Sequence, residues 1–159
     1  ERIGVEPRLL PNLEAYQAGK FSHAARVACD DPAAIREIIE RVSSRELPED
    51  WFPWQPLDSK GSLDGVAITG YEYPHVHWTD AHGVSGSSNI EKGEGKLPWR
   101  LDWPAKWGFN GITCEPFGKD HGAAGGSYDT GKEIAVLFGH EPPAPLTYEW
   151  ISLLSLIHI

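Results

Sequence analysis

The stretch EPFGKDHGAAGGSYDTGKEI, residues 115–134, joins the end of a predicted strand to the start of a predicted helix through a glycine-rich turn. It overlaps the end of GITCEPF, which is typical of a buried strand, and its glycine-rich part leads into a predicted helix with Gly139 as its C-cap. The predicted helix has three apolar residues for one face: Ile134, Leu137 and Phe138. PLTYEWISL at residues 145–153 predicts another strand, so the order is that of a βαβ unit and we expect an α/β fold.

The glycine-rich turn is a candidate ligand site, because ligands of open α/β sheets bind at the carboxyl ends of the strands. Gly118 allows close approach to the backbone, Asp120 can accept hydrogen bonds from a ribose, and His121 can bond a carboxylate or a phosphate. Three residues near the helix start offer N–H groups where anions are favoured: Gly125, Gly126 and Ser127. The same residues also suit an ordinary turn with Asp120 as a helix cap, and residue types alone leave both interpretations open.

Residues 97–109, LPWRLDWPAKWGF, are interpreted as a strand-like piece followed by a short helix that begins at Pro104. Trp99 and Trp103 would then alternate with Leu101 along the strand. For any single tryptophan, packing in the core is at least as good an interpretation as ligand binding. For Asp102, an acid between two tryptophans, a functional role is favoured.

The N-terminal part predicts two helices within residues 21–44. Asp30 or Asp31 can cap the second helix, and Pro32 suits its first position. The second helix has four apolar residues at the spacing of one helical face: Ile35, Ile38, Ile39 and Val42.

The middle of the chain predicts a β-hairpin between residues 63 and 79, preceded by an irregular connector and followed by a loop at residues 80–97. The hairpin turn is expected near Gly70, and Pro74 would place the second strand at a sheet edge.

Three histidines of this segment lie near an aspartate, and such groups can bind zinc: His75, His77 and His82 with Asp80. Exposed histidines on a strand are commoner than zinc ligands, so we expect no metal here.

Composition bounds the class of protein. The 159 residues are 40% hydrophobic and 11% aromatic, which is typical of a globular chain, and no apolar run reaches the roughly 18 residues of a membrane span. The net charge of −9 argues against a nucleic-acid surface formed by the whole piece.

Two cysteines, Cys29 and Cys114, are too few for a disulfide framework, so we expect a reduced, cytoplasmic setting. Because the chain begins with Glu and contains no Met, we expect a piece of a longer protein.

Four motifs, PWRLDWPAKW, EPFGKDH, GGSYDTGKEI and YEWI, closely resemble in order and spacing the catalytic domain of archaeal-type class I lysyl-tRNA synthetases. The likeness covers about residues 20–152 of this sequence. It implies part of a Rossmann-like parallel sheet with a small β-hairpin insertion. The implied division has four parts: a helical part at 1–50, an inserted hairpin and connector at 51–95, a second Rossmann-like half at 96–152, and a tail at 153–159 unlike the family.

The resemblance implies that lysine and ATP, with Mg²⁺, form lysyl-adenylate, and that the lysyl group passes to tRNA(Lys), with no membrane partner. No general base is required, because the carboxylate of lysine itself attacks the α-phosphate. The ATP-binding motifs of the HIGH and KMSKS type are absent, so we expect the piece to be inactive alone. The alternatives are a truncated paralogue that binds lysine or an adenylate without charging tRNA, and a nucleotide-binding protein of other chemistry.

The resemblance also implies two sets of binding residues. A carboxylate and aromatic faces suit an alkylammonium, with cation–π attraction worth about 0.5–2 kcal/mol. The expected lysine-binding residues are Trp99, Asp102, Trp103, His121 and Tyr148. The expected ATP-binding residues are Gly118, Lys119, Asp120, His121, Gly125, Gly126 and Ser127.

Overall fold

The computed structural model describes Gly4 and residues 6–149, and the predicted tail at 153–159 lies outside this part of the chain. The α-helices are α1 (Asn12–Gln17), α2 (Ser22–Asp30), α3 (Pro32–Ser43), α4 (Trp99–Asn110) and α5 (Ser127–Leu137). The strands are β1 (Gln55–Pro56), β2 (Val66–Glu72), β3 (His75–Asp80), β4 (Ser85–Asn89), β5 (Gly95–Lys96), β6 (Cys114–Gly118) and β7 (Ala144–Tyr148). None of the described helices combines the length and the apolar character needed to cross a membrane.

The described residues form two compact units, each built from two segments of the chain. The first contains the residues up to Asp30 together with Phe52–Pro98, and the second contains Asp31–Trp51 together with the residues from Trp99 onward. The predicted division into four parts stays a prediction.

The first unit contains a three-stranded antiparallel sheet in the order β2–β3–β4. The pairing of Glu72 with His75 places the turn at Tyr73–Pro74. The predicted turn near Gly70 is therefore wrong, because Gly70 lies within β2 beside an irregularity in the register. The prediction of an edge strand after Pro74 is also wrong, since β3 is the central strand and the proline lies in the turn.

Strand β4 occupies part of the segment that was expected to be a loop. Its sequence, SGSSN, has low intrinsic strand propensity, so pattern alone does not predict it. The strand forms because Gly86 leaves room for the ring of Trp78, which a Cβ at this position would overlap. The buried hydroxyl of Ser88 adds two hydrogen bonds, accepting from the indole of Trp54 at 2.9 Å and donating to the Glu94 carbonyl at 2.6 Å.

Helix α3 in the second unit confirms the prediction from its cap and its apolar spacing. The Asp31 carboxylate accepts a hydrogen bond from the Ala34 N–H at 3.1 Å, and Pro32 is at the first position. The expected apolar face points inward, with three residues buried and one half-buried: Ile35, Ile38, Ile39 and Val42.

The βαβ unit predicted from residues 115–134 is present in the second unit, as β6, α5 and β7. Strands β6 and β7 are parallel, with Cys114 opposite Ala144 and Gly118 opposite Tyr148. The prediction that β6 is a buried strand is wrong, since Phe117 is the one buried residue among its five. Leu137, expected on the apolar face of α5, is 41% exposed, whereas the other two expected residues, Ile134 and Phe138, are buried.

Helix α4 corrects the interpretation of residues 97–109, because the helix is continuous from Trp99 and includes Pro104. Leu101 and Ala105 are buried at the i, i+4 spacing of a helix. The proline suggested a helix start because it cannot donate to the Arg100 carbonyl, yet its own ring is buried and packed.

Close packing of α4 on α5 generates a first prediction. Gly131 of α5 lies against the ring of Trp107, and a Cβ there would come within 2.8 Å of Cη2 of that ring. Alanine favours a helix over glycine by about 1 kcal/mol, but the overlap is with a fully buried ring. We expect Gly131→Ala to lower the free energy of unfolding by about 1–3 kcal/mol.

Urea denaturation of the 159-residue chain measures this effect. Val136→Ala on the same helix is the control, because Val136 is exposed and its truncation leaves no cavity. A Gly131→Ala variant as stable as the unsubstituted chain would contradict the packing.

The two cysteines generate a second prediction. Cys29 is buried in α2, and burial together with the Asp30 carboxylate raises the pKa of its thiol, whereas Cys114 at the start of β6 is exposed. We expect an alkylating reagent at about pH 8 to label Cys114 alone in the folded chain and both cysteines in denaturant. Peptide mass spectrometry measures this, and equal labelling of both cysteines in the folded chain would contradict the burial of Cys29.

Candidate functional site

One face of α4 forms most of an open pocket of about 300 Å³ in the second unit. Helical geometry brings positions i, i+3, i+4 and i+7 to the same side, which explains how four residues of one helix share the lining. The pocket is lined by Trp99, Asp102, Trp103, Lys106 and His121. His121 comes from the glycine-rich turn, so the pocket lies between α4 and the end of β6.

A buried carboxylate lies in this pocket. Asp102 is only 8% exposed, and its Oδ1 lies 2.6 Å from the ammonium nitrogen of Lys106 one turn further along α4. Burial of a carboxylate is unfavourable unless a cation or hydrogen-bond donors compensate it, and Lys106 supplies such a cation. The Lys106 side chain remains 35% exposed and has room to move toward solvent.

Three aromatic rings line the same pocket as this carboxylate. The ring of His121 lies 5.7 Å from that of Trp99 and 5.8 Å from that of Trp103, between ring centroids. The two indole rings are 6.5 Å apart. Trp99 is 49% exposed, and the guanidinium of Arg100 lies over its ring at 4.7 Å. The pocket therefore combines one buried negative charge with aromatic faces, an environment suited to an alkylammonium.

The turn after β6 is tight and partly exposed. The N–H of His121 donates to the Gly118 carbonyl at 3.0 Å, and a Cβ at Gly118 would lie 2.7 Å from Oδ1 of Asp120. Asp120 and His121 are adjacent, with 3.7 Å between Oδ2 and Nε2. Lys119 pairs with the carboxylate of Glu149. The predicted ligand-binding turn is thus formed at the carboxyl end of a strand.

The second part of the turn is held together by its own N–H groups. The N–H of Gly125 donates to Oδ2 of Asp129 at 3.0 Å, and that of Gly126 donates to the Ala123 carbonyl at 2.7 Å. Gly125 has a φ of 72° and lies against the Val42 carbonyl of α3, so only glycine fits there. The Ser127 hydroxyl lies 3.4 Å from Nδ1 of His121.

The structure brings four of the five expected lysine-binding residues together and places the fifth elsewhere. Tyr148 is at the end of β7, opposite Gly118, where its ring is 54% exposed and lies outside the pocket lining. Lys106 was missed, because a strand interpretation of residues 97–103 conceals its i, i+4 relation to Asp102. If the same residues are interpreted as a helix, Lys106 lies one turn after Asp102 and is identified as its partner.

Glu115 was also missed, although it is in the stretch that decides the fold. Its carboxylate accepts a hydrogen bond from Nε1 of Trp103 at 3.0 Å and another from Nε1 of Trp107 at 3.1 Å. The spacing of Glu115 and Phe117 on a strand places both on the side that meets α4, and this spacing is the signal that could have identified it.

Candidate metal ligands are not grouped in the part of the chain that the structure describes. His75 and His77 are exposed on β3, and Asp80 accepts hydrogen bonds from the N–H groups of His82 and Val84. No group of three or more His, Cys, Asp or Glu side chains among residues 6–149 is arranged to hold a metal ion.

The chain is similar to known proteins along nearly its whole length. A family model described as tRNA synthetases class I (K) matches residues 1–156. Lysine–tRNA ligase of Thermoplasma acidophilum is 43% identical over 155 residues, and that of Methanosarcina barkeri is 44% identical over 156. The aligned region covers 96% of this chain, 31% of the first relative and 29% of the second. The chain therefore spans about a third of the length of these relatives.

The closure of the glycine-rich turn generates a prediction about pH. Hydrogen bonds from Lys132 and from the Gly125 N–H hold the pKa of Asp129 below its ordinary value of 3.8. A carboxyl group whose pKa is lowered on folding stabilises the folded state above its ordinary pKa, and this contribution is lost as pH falls through the lowered value. We expect Asp129→Asn to destabilise the chain at neutral pH and to reduce the loss of stability on acidification below about pH 4.

Urea denaturation at several pH values measures the slope of stability against pH. Asp50→Asn is the control, because it makes the same change on an exposed residue of the same unit. A slope for Asp129→Asn as steep as that of the unsubstituted chain would contradict the role of Asp129.

Proposed function

Since this chain belongs to the class I tRNA synthetases, we propose that it is part of a lysine–tRNA ligase that activates lysine with ATP and transfers it to tRNA(Lys). The observation that carries the proposal is a pocket lined by aromatic rings and by the buried carboxylate of Asp102. An ammonium ion is strongly hydrated, so leaving water requires a carboxylate of this kind.

Lysine would bind with its ammonium at Asp102. The contact between Asp102 and Lys106 supports this, because an alkylammonium of the same chemistry already lies 2.6 Å from the carboxylate. Lys106 would then turn toward solvent, and Trp99 and Trp103 would cover the aliphatic part of the substrate. Tyr148 lies beside Gly118 and would contribute from the side of the turn.

ATP would bind at the turn after β6, with Asp120 accepting from the ribose and Gly118 allowing close approach. Strands β6 and β7 with helix α5 would form one half of a Rossmann-like domain, in which nucleotides bind at the carboxyl ends of the strands. The N–H groups of Gly125 and Gly126 donate within the turn, so these residues and Ser127 would border the phosphates without those two donors, and Lys119 would add a positive charge.

His121 joins the two proposed sites, since it lines the pocket and belongs to the turn. The substrate carboxylate is a nucleophile without further activation, and its attack on the α-phosphorus releases pyrophosphate. The described residues would therefore contribute by holding the two reactants in line. Mg²⁺ would accompany ATP, and we assign it no protein ligand, because no acidic cluster lies at the turn.

The setting we propose is the cytoplasm, where tRNA(Lys) would be the second substrate. Since the chain spans 31% of the length of a relative, we propose that these 159 residues alone do not aminoacylate tRNA. Incubation of the isolated chain with lysine, ATP and tRNA measures this, and formation of lysyl-tRNA above the rate without protein would contradict it.

Kinetics of two aspartate variants test the assignment of the sites. The full coding sequence that contains this chain is expressed, and lysine-dependent ATP–pyrophosphate exchange is measured in the presence of tRNA. We expect Asp102→Asn to raise the KM for lysine about 10- to 100-fold, as for loss of a hydrogen bond to a charged group, with the KM for ATP nearly unchanged. Asp120→Asn should instead raise the KM for ATP.

Asp50→Asn, on an exposed position, controls for the loss of one negative charge. Exchange that does not depend on lysine would contradict the proposed substrate. Unchanged kinetics in Asp102→Asn would move the ammonium site elsewhere.

A further inference from the structure

We propose that Glu115 is a positioning residue, which fixes the ring of Trp103 as a wall of the lysine pocket through two indole hydrogen bonds. The inference rests on the proposed function, because it concerns the same pocket. Glu115 does not line that pocket, and it acts through the tryptophans.

The two oxygens of Glu115 have different partners. One oxygen accepts from Nε1 of Trp103 at 3.0 Å and the other from Nε1 of Trp107 at 3.1 Å. Trp103 and Trp107 are one turn apart on α4, so a single carboxylate on β6 joins two successive indoles of the helix. A hydrogen bond to an ionised acceptor is stronger than a neutral one, which suits it to fixing an orientation.

The two indoles differ in how firmly the rest of the unit holds them. Trp107 is buried in the core, where its ring packs against that of Tyr128 and against Gly131. Trp103 is only partly buried, and one side of it faces the open pocket. Glu115 therefore ties the ring that borders the pocket to a ring that is already fixed.

The position of Trp103 determines the shape of the aromatic wall. Its ring centroid lies 4.9 Å from that of Trp107, 5.6 Å from that of Phe117 and 5.8 Å from that of His121. Without an acceptor, a partly buried indole N–H is favoured to turn toward water. The side of the ring open to solvent is the pocket, so the untied ring would rotate into the space that the substrate stem needs.

Glu115→Gln tests the role with almost no change of shape. Glutamine keeps one acceptor oxygen but presents an NH₂ donor to the other indole N–H. Because the Trp107 indole is the more buried, we expect the oxygen to face Trp107, so the hydrogen bond of Trp103 is lost. In the full-length protein we expect the KM for lysine to rise about tenfold, with kcat and the KM for ATP within about twofold of wild type. Glu141→Gln, on an exposed residue of the same unit, is the matched control.

The Trp103→Phe background distinguishes positioning from a general structural role. Phenylalanine has no N–H, so in this background Trp107 is the one indole that needs an acceptor. The oxygen of the substituted glutamine can accept from Trp107, and no indole N–H is left without an acceptor. We expect Glu115→Gln to change the KM for lysine less than about twofold in this background, since the two substitutions remove the same interaction. A structural role would lower kcat and stability in both backgrounds, and that result would overturn the proposal.

Three further outcomes distinguish failure of the positioning role of Glu115 from failure of the proposed function. If wild type shows lysine-dependent exchange and Glu115→Gln keeps the wild-type KM for lysine, the positioning role is overturned and the proposed function stands. If wild type shows no such exchange, both are overturned. If Glu115→Gln does not fold, Trp103→Phe alone should raise the KM for lysine severalfold, and an unchanged value would overturn the inference.

Discussion

The buried ring of Trp107 joins helix α4 to the β6–α5–β7 unit, and the candidate site depends on that contact. The ring lies against Gly131 of α5, where any side chain would overlap it, and its Nε1 donates to Glu115 of β6. One residue thus fixes both the distance and the rotation of α4. With that rotation set, helical periodicity carries Trp99, Asp102 and Lys106 to the open side.

The glycines of residues 118–134 permit tight turns beside α4, and the charged residues of this stretch close them with hydrogen bonds. Gly125 has a positive φ and lies against the Val42 carbonyl, so it permits a turn that other residues would strain. Charged residues then close the turns, as Asp129 does by accepting from Gly125. The turn comes close enough to α4 for His121 to face two tryptophans, and two separate motifs of the sequence form one pocket.

The elements that the sequence predicts well are those whose signals are local. Asp31 with Pro32 predicts the start of α3, and strand, glycine turn and helix predict the βαβ unit. The first part of helix α4, residues 99–103, was predicted as a strand because alternating tryptophans fit either period and Pro104 resembles a helix start. Strand β4 was missed because Gly86 and Ser88 stabilise it through contacts with residues distant in sequence, which its low strand propensity does not reveal.

Prediction of the site was limited in the same way, because local residue patterns do not reveal contacts with distant parts of the chain. Four of the pocket residues could be chosen from two motifs of the sequence, but Glu115 and Lys106 act through partners that only the helical form of α4 reveals. Tyr148 was placed with the pocket by the resemblance, whereas parallel register sets it opposite Gly118. Long-range register decides such positions, and a single sequence carries little information about it.

Binding of the lysine ammonium at Asp102 is tested most directly by a crystal structure of the full-length protein with a non-hydrolysable analogue of lysyl-adenylate. We expect the ammonium of the analogue at Asp102, with Lys106 displaced, Trp99 and Trp103 along the aliphatic stem, and the ribose at Asp120. An analogue bound with its ammonium away from Asp102, and with the ion pair of Asp102 and Lys106 intact, would contradict it.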